Sequence, residues 1–251
     1  TKNPEEKPYF LTNQSAGSFN TFKHSFEAGT GKFLNNLLSV SARYSIINSD
    51  GYIDRAFSKL NSYNINALFE KGNTKLRFLT FGGKEKTYQA WNGIDKATYE
   101  SNPKFNYSGA IYDANWENII GFYDNETDNY RQNHYHLLWE QKLGKIWNLE
   151  TTFHLTHGEG YYENYKQDAK FSKYDLPNIV ENGNTITRTD FIRKKWLDND
   201  FYGVVSNLYG NFENLNLNFG VAANQYFGRH FGNVSGVKYT NIFEHEYYRN
   251  N

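Results

Sequence analysis

The chain contains neither cysteine nor methionine in 251 residues. Without cysteine it has no disulfide, no thiolate metal site and no thiol nucleophile, although this alone assigns no compartment. Without methionine it has no initiator and no recognisable leader, which predicts a processed chain or, as we expect, a piece of a longer one. Proline is scarce, at four residues, and Pro4 and Pro8 stand in the first ten. No apolar run reaches about 18 residues, which excludes a membrane-spanning helix but leaves membrane-spanning strands open. Neither charge sign is in excess, with 27 basic residues against 27 acidic. Nothing therefore suggests a nucleic-acid partner.

Aromatic residues, by contrast, make up 18% of the chain, yet mean hydropathy is −0.80. Many rings among many polar residues suggest β-strands with one oily and one wet face. Alternation of period two bears this out in five clear segments and three weaker ones. Leu38, Val40, Ala42, Tyr44 and Ile46 oppose Ser39, Ser41, Arg43 and Ser45. Tyr63, Ile65, Ala67 and Phe69 oppose Asn64, Asn66 and Glu70. Tyr135, Leu137, Trp139 and Leu143 oppose His134, His136, Glu140 and Lys142. Trp147, Leu149, Thr151, Phe153 and Leu155 oppose Asn148, Glu150, Thr152, His154 and Thr156. Leu215, Leu217, Phe219, Val221 and Ala223 oppose Asn216, Asn218, Gly220 and Asn224. The weaker segments run through 18–28, 75–82 and 201–212.

Such stripes fit either a soluble sandwich or a membrane barrel, in which the apolar stripe meets lipid and the polar stripe lines a wet lumen. Connection lengths separate the two. Short turns are expected at Gly29–Lys32, Lys71–Thr74, Gly144–Lys145 and Glu213–Asn214, and long loops at about 47–59, 83–130, 158–199 and 228–251. Barrels place tight turns on one rim and long loops on the other, whereas a sandwich has no reason to. The expectation is an all-β chain: an antiparallel transmembrane β-barrel segment of about eight long, meandering strands.

Several segments then become specific. SDGYIDRAFSKLNSYN (Ser49 to Asn64), TFGGKEKTYQAWNG (Thr80 to Gly93), FYDNETDNYRQNHYHL (Phe122 to Leu137), THGEGYYENYKQD (Thr156 to Asp168) and KKWLDNDFYG (Lys194 to Gly203) follow in this order. The set resembles the early barrel of TonB-dependent outer-membrane receptors over roughly residues 17–232. The resemblance implies a larger barrel of about 22 strands closed by an N-terminal plug, with residues 1–251 as a partial barrel domain of roughly strands two to nine and no plug. It further implies uptake of a scarce nutrient of the ferric siderophore, haem or cobalamin type across the outer membrane of a Gram-negative cell. The implied partners are outer-membrane lipid and lipopolysaccharide, the nutrient itself, and the TonB motor acting through the missing plug. No enzymatic activity and no cofactor are expected.

The aromatics of the long loops are the expected ligand-capturing residues: Tyr88, Trp91, Tyr112, Trp116, Tyr161, Tyr162 and Tyr165. Rings with polar tips give large contact area at low entropy cost. Arg43 and Arg77 are expected to face the lumen, where they would steer an anionic chelate or hold wall carboxylates. His134 and His136 share a strand face at i, i+2, but a metal site needs three or four ligands and spacing supplies no others, so no metal is expected. Glu159, Glu163 and Asp168 form no nucleophile–base pattern and are read as solvated loop carboxylates. Two rival readings remain, a complete eight-stranded outer-membrane adhesin or anchor and a soluble aromatic-rich carbohydrate-binding β-protein.

Overall fold

The computed structural model describes residues 3–250; residues 1, 2 and 251 of the expected barrel domain lie outside them. One antiparallel sheet dominates. Its strands are β1 (Pro8–Gly17), β2 (Thr21–Phe33), β3 (Leu38–Ser49), β4 (Ser58–Lys71), β5 (Thr74–Tyr88), β8 (Thr127–Leu143), β9 (Trp147–Lys170), β12 (Arg188–Asn211), β13 (Asn216–Gly236) and β14 (His245–Asn250). They lie side by side in chain order. Between them fall a short helix α1 (Lys96–Ser101), a two-stranded ribbon of β6 (Ala110–Tyr112) and β7 (Ile119–Phe122), a 3-10 turn (Phe171–Tyr174), and a second ribbon of β10 (Ile179–Glu181) and β11 (Asn184–Ile186).

The meander is as expected, with ten sheet strands where eight were read. The first addition, β1, pairs with β2 from Pro8 to Gly17. Its Thr12, Asn13, Gln14 and Ser15 interrupt any apolar period, so only the backbone ladder marks it as strand. The second, β14, pairs with β13 within the region expected to be loop after residue 228.

The larger correction concerns the segment 158–199. Strands β9 and β12 run for 24 residues each and pair almost to their ends, so most of that expected loop is strand. At ~3.3 Å per residue each strand is on the order of 80 Å long, far more than a tilted strand needs to cross a bilayer. Beyond His157 neither face is apolar, and the alternation that identifies a strand in sequence stops there although the strand does not. Likewise β5 continues to Tyr88, narrowing the expected 83–130 loop to residues 89–126. The expected turn at Gly29–Lys32 lies inside β2, at a register shift. Gly31 adopts φ 65°, and a Cβ there would stand 2.7 Å from the Pro8 ring. The chain reverses instead at residues 34–37, where Leu34, Asn35 and Asn36 all have positive φ.

The register keeps the two stripes apart across the whole sheet. Val40, Ala67, Phe78, Leu137, Phe153, Val204 and Ala223 follow one another across seven strands on one face. Along that face Tyr44, Phe78, Leu137, Phe153, Phe219 and Val221 are between 42% and 69% exposed, so no other layer of the chain covers them. Arg43, Asn64, Phe81, His134, Thr156 and Phe201 cross the opposite face. This face is the more enclosed, with Ser39, Asn66, Leu68, Arg77 and Leu79 all buried. A soluble fold does the reverse, hiding apolar side chains and exposing polar ones.

Aromatics mark both ends of the apolar stripe. Trp147 meets Phe212 edge-on at 5.6 Å near the short-turn rim, and Tyr202 stacks on Phe227 at 6.0 Å near the other. Just past the second group the same face turns ionic: His157 Nδ1 lies 2.8 Å from Asp200, Arg131 pairs with Glu159, and Arg229 with Asp198 at 2.6 Å. Among the described residues the membrane-length part of the sheet buries only scattered apolar side chains such as Leu68 and Leu79. A small apolar core lies at the far rim, where Phe171, Tyr174, Phe191 and Val234 are at most 1% exposed.

Candidate functional site

The far rim is an ordered assembly built on the extended strands. Residues 89–126 are fixed mainly by buried polar side chains. Gln89, 3% exposed, donates from Nε2 to the carbonyls of Thr127 (3.1 Å) and Glu163 (2.9 Å) and accepts from Asn164 at 2.9 Å. Asn106 donates to the carbonyls of Asp54 and Gln89, which ties the 50–57 connection to the same body. The Arg55 guanidinium sits 3.5 Å over the Phe122 ring and donates to the Asn106 carbonyl. Glu126 receives Asn164 at 2.8 Å and the Tyr165 N–H at 2.8 Å. Burial raises its pKa, and these two hydrogen bonds oppose the rise.

Gln89→Ala is expected to free this segment from the strands. It strips the partner from an Asn164 amide hydrogen and from two carbonyls, at about 1–3 kcal/mol for each buried group left unsatisfied. Hydrogen exchange in residues 89–126 should quicken while β3 and β4 stay protected. Unchanged protection in 89–126 would show that Gln89 is not the fastener.

On the polar-face side of this assembly lies a vestibule of about 490 Å³ lined by Tyr130, Tyr162, Tyr248, Lys195, His230, Glu85 and Asp128, among others. Trp91 meets Tyr162 edge-on at 5.6 Å. The strands put these groups together by register, since Glu85 faces Tyr130, Asp128 faces Tyr162, and Tyr162 faces Lys195. Burial, and then Asp128, raises the pKa of Glu85; burial also raises that of Asp128, against a bond from the Asn129 N–H. The vestibule thus combines amphipathic rings, basic groups and two carboxylates that resist ionisation.

Of the seven loop aromatics expected to capture ligand, Tyr161 and Tyr162 line this vestibule, and Trp91 packs edge-on against Tyr162. Tyr88 does not belong with them. It is 4% exposed and its hydroxyl donates to the carbonyls of Ser108 and Tyr123, so it packs the rim from within. Tyr161 lies on strand with parity opposite to Tyr162, and reaches the vestibule's edge beside Trp196 at 4.4 Å. Tyr165 is also on strand, its hydroxyl held by Asp190 at 2.6 Å; burial, and then this bond, raise its pKa far above that of a free phenol. Tyr112 and Trp116 stack on each other at 5.7 Å away from the vestibule, Tyr112 being fixed to Gln167 through its backbone. Sequence reasoning missed Tyr130, Tyr248, Lys195 and His230. Their signal is a parity shared across four strands, visible only once the register is known.

Arg43, Arg77, His134 and His136 all lie on the polar face of the sheet. Arg43 shares a polar cleft with Glu27, Tyr9 and Asn64, and Arg77 is buried and donates to Asn3. His134 stacks on Phe81 at 4.4 Å, and His136 lies 6.2 Å from His134 and 6.4 Å from His154, ring to ring. Among the described residues no three metal-ligating side chains are placed to hold an ion. The three carboxylates once expected in a solvated loop have partners: Glu159 pairs with Arg131, Glu163 accepts from Tyr123 and Asn125, and Asp168 pairs with Arg188.

No family model matches the chain, and no curated protein is similar to it in sequence. Solved structures do resemble it in fold. The siderophore receptor PiuA from Acinetobacter baumannii superposes with a TM-score of 0.61 at 12% identity over 99% of this chain and 34% of that one. BauA, the ferric preacinetobactin receptor from the same species, gives 0.56 at 12% over 98% and 34%. Fiu, the ferric-catecholate import receptor of E. coli K12, gives 0.55 at 12% over 94% and 33%. The chain spans about a third of the length of these receptors. It has the fold of part of a receptor β-barrel.

Proposed function

We propose that this chain is part of the wall and outer rim of a TonB-dependent receptor in a Gram-negative outer membrane, importing a scarce nutrient of the ferric siderophore, haem or cobalamin type. The observation that carries the reading is the uncovered apolar stripe, bounded by aromatics and then by ion pairs, on the face opposite a polar one. Hydrocarbon is the solvent that makes such a stripe favourable, and a water-filled lumen suits the other face. The fold likeness to solved siderophore receptors supports the same conclusion. Lipid and lipopolysaccharide would contact the stripe, and the TonB motor would act through a plug lying in the lumen. The two rival readings fit less well. Among the described residues the ten-stranded sheet runs from β1 to β14 without closing on itself, unlike a complete small barrel, and a soluble carbohydrate-binding protein would bury the stripe.

In this reading the vestibule receives the nutrient. Rings offer stacking area, and Lys195 with the neighbouring Arg193 attracts an anionic chelate. The test uses cells expressing the complete receptor under iron limitation, supplied with a radiolabelled ferric catecholate, ferric hydroxamate, haemin or cyanocobalamin. One of these probes is expected to enter only when the receptor is present. Trp91→Ala with Tyr162→Ala should weaken its binding about tenfold or more, since each ring contributes on the order of 1 kcal/mol. Entry of all four probes unaltered by deletion of the gene would refute the proposal.

The acid pair adds a pH dependence. Because burial holds both carboxyls above their ordinary range, they take up protons earlier on acidification than free carboxyls would, and the vestibule then becomes more positive. An anionic probe should therefore bind more tightly as pH falls from neutrality towards the carboxylate range, and Glu85→Gln with Asp128→Asn should flatten that slope. The same raised pKa values mean the folded state takes up more protons than the unfolded chain, so their linked stability also falls as pH rises through this window. A slope identical in wild type and variant would remove the acid pair from the account.

A further inference from the structure

Beside the vestibule the far rim buries three hydrogen-bond donors without an acceptor. Tyr174 Oη, Tyr247 Oη and Arg193 Nε are each shut off from water, and none meets a hydrogen-bond partner among the described residues. Tyr174 as a whole is 0% exposed. Native folds seldom orphan such groups, since each costs about 1–3 kcal/mol. All three can donate and one carries a positive charge, so what they call for is an acceptor, and an anionic one.

Three separate elements bring them together. Tyr174 ends the 3-10 turn and meets the Tyr247 ring edge-on at 5.0 Å. Its carbonyl accepts from His245 Nε2 at 2.9 Å and is thereby occupied. On β14, Gly232 faces Tyr248 and Asn233 faces Glu246, which leaves Tyr247 as the extra residue of a bulge. A bulge re-aims a side chain. Here it lays Tyr247 beside Tyr248, 4.9 Å ring to ring, over Gly232, where a Cβ would stand 2.7 Å from the Tyr247 hydroxyl. Lys195 faces Gly232 and Arg193 faces Val234, so that hydroxyl lies one same-side position along from Arg193.

Among the described residues no carboxylate pairs with Arg193, whose terminal nitrogen donates to Asn164 Oδ1 at 2.7 Å. Glu126 feels its charge but is engaged by Asn164 and the Tyr165 N–H, and burial favours its neutral form. Burial also raises the pKa of both phenols, and the charge that opposes the rise is that of Arg193. The guanidinium field therefore reaches both hydroxyls.

We propose that Arg193 Nε and the hydroxyls of Tyr174 and Tyr247 together bind a chloride-sized anion, which ties the 3-10 turn and β14 to β12. A water molecule suits the site less. It accepts two hydrogen bonds and must then place its own two hydrogens, and it leaves the guanidinium charge uncompensated. A halide accepts all three bonds and supplies the opposing charge. The apolar neighbours Phe171, Phe191 and Val234, at most 1% exposed, close the site against a bulky oxyanion. The inference holds whichever nutrient the barrel imports.

The test follows hydrogen exchange of the complete receptor in detergent micelles as sodium chloride replaces sodium gluconate at constant ionic strength. Exchange in residues 171–187 and 237–250 should slow saturably, by about tenfold or more, while that of β3 and β4 stays unchanged. Bromide should act as chloride does, and crystals grown in bromide should show its anomalous signal between Arg193, Tyr174 and Tyr247. Tyr174→Phe with Tyr247→Phe keeps both rings and removes both hydroxyls. In gluconate this variant should protect the rim at least as well as the wild type does, and the chloride effect should vanish. Arg193→Gln should abolish the effect too, and carries the test if the double variant does not fold. Rim exchange that is equal in chloride and gluconate, a chloride effect that survives these substitutions, or a bromide signal absent from the cluster overturns the proposal.

Discussion

Ala67→Arg in the complete receptor is expected to destabilise the barrel by about 2–4 kcal/mol, the cost of a guanidinium on the lipid face near the bilayer midplane. Ala67 lies between Val40 and Phe78 in the cross-strand register, with Ile65 and Phe78 beside it at 39% and 44% exposure. An arginine there has only hydrocarbon and apolar side chains around its base, and can reach water only by stretching along the stripe. The matched control is Ser62→Arg, at an exposed position on the polar face, which should cost less than about 1 kcal/mol. Asn66, the immediate neighbour, is unsuitable as a control because it is 5% exposed and a longer side chain would overfill its site. Equilibrium urea unfolding from phospholipid vesicles measures both. Equal costs at Ala67 and Ser62 would mean that the apolar stripe does not meet lipid, and the transport reading would go with it.

Phe191→Ala is expected to cost about 3–5 kcal/mol, the usual penalty for emptying a large, fully buried aromatic site. Phe191 is 0% exposed, with Phe171 at 5.6 Å, Tyr174 at 5.0 Å and Val234 in the same cluster. This cluster joins the far ends of β9, β12 and β13 to the 3-10 turn, with Tyr247 of β14 packed against it. Burial pushes the Tyr247 phenol up to about 12, in keeping with a hydroxyl shut off from water on a half-buried ring. The loss should be local. Residues 171–187 and 237–250 should become sensitive to protease and exchange quickly, while β3 and β4 stay protected. Tyr248, on β14, lines the vestibule, so nutrient binding should weaken as well. Rim protection unchanged in the variant would show that the cluster does not hold the rim together.

Legibility along the chain follows the solvent. Where a strand separates hydrocarbon from water, each residue must suit one or the other, and the alternation from Leu38 to Ile46 or from Trp147 to Leu155 is plain. Past His157 both faces of β9 are wet. Glycine, glutamate, tyrosine and asparagine follow without period, and only the ladders to β8 and β12 show that the strand continues. The same loss of contrast hides β1. Tyr88 illustrates a different failure. Its ring and hydroxyl are equally suited to capturing a ligand and to packing a loop, and two carbonyls from residues 20 and 35 positions away decide for packing.

By itself the sequence determined the all-β class and the face each side chain of the apolar stripes would take, because a two-residue period is a local property. Only the tertiary structure decided which rings meet. Trp91 with Tyr162, Gln89 with Asn164, and Glu85 with Tyr130 and Asp128 are brought together by strand register and by hydrogen bonds spanning up to 75 residues. Such long-range pairings depend on where each ladder begins, and no stretch of chain read alone contains that information.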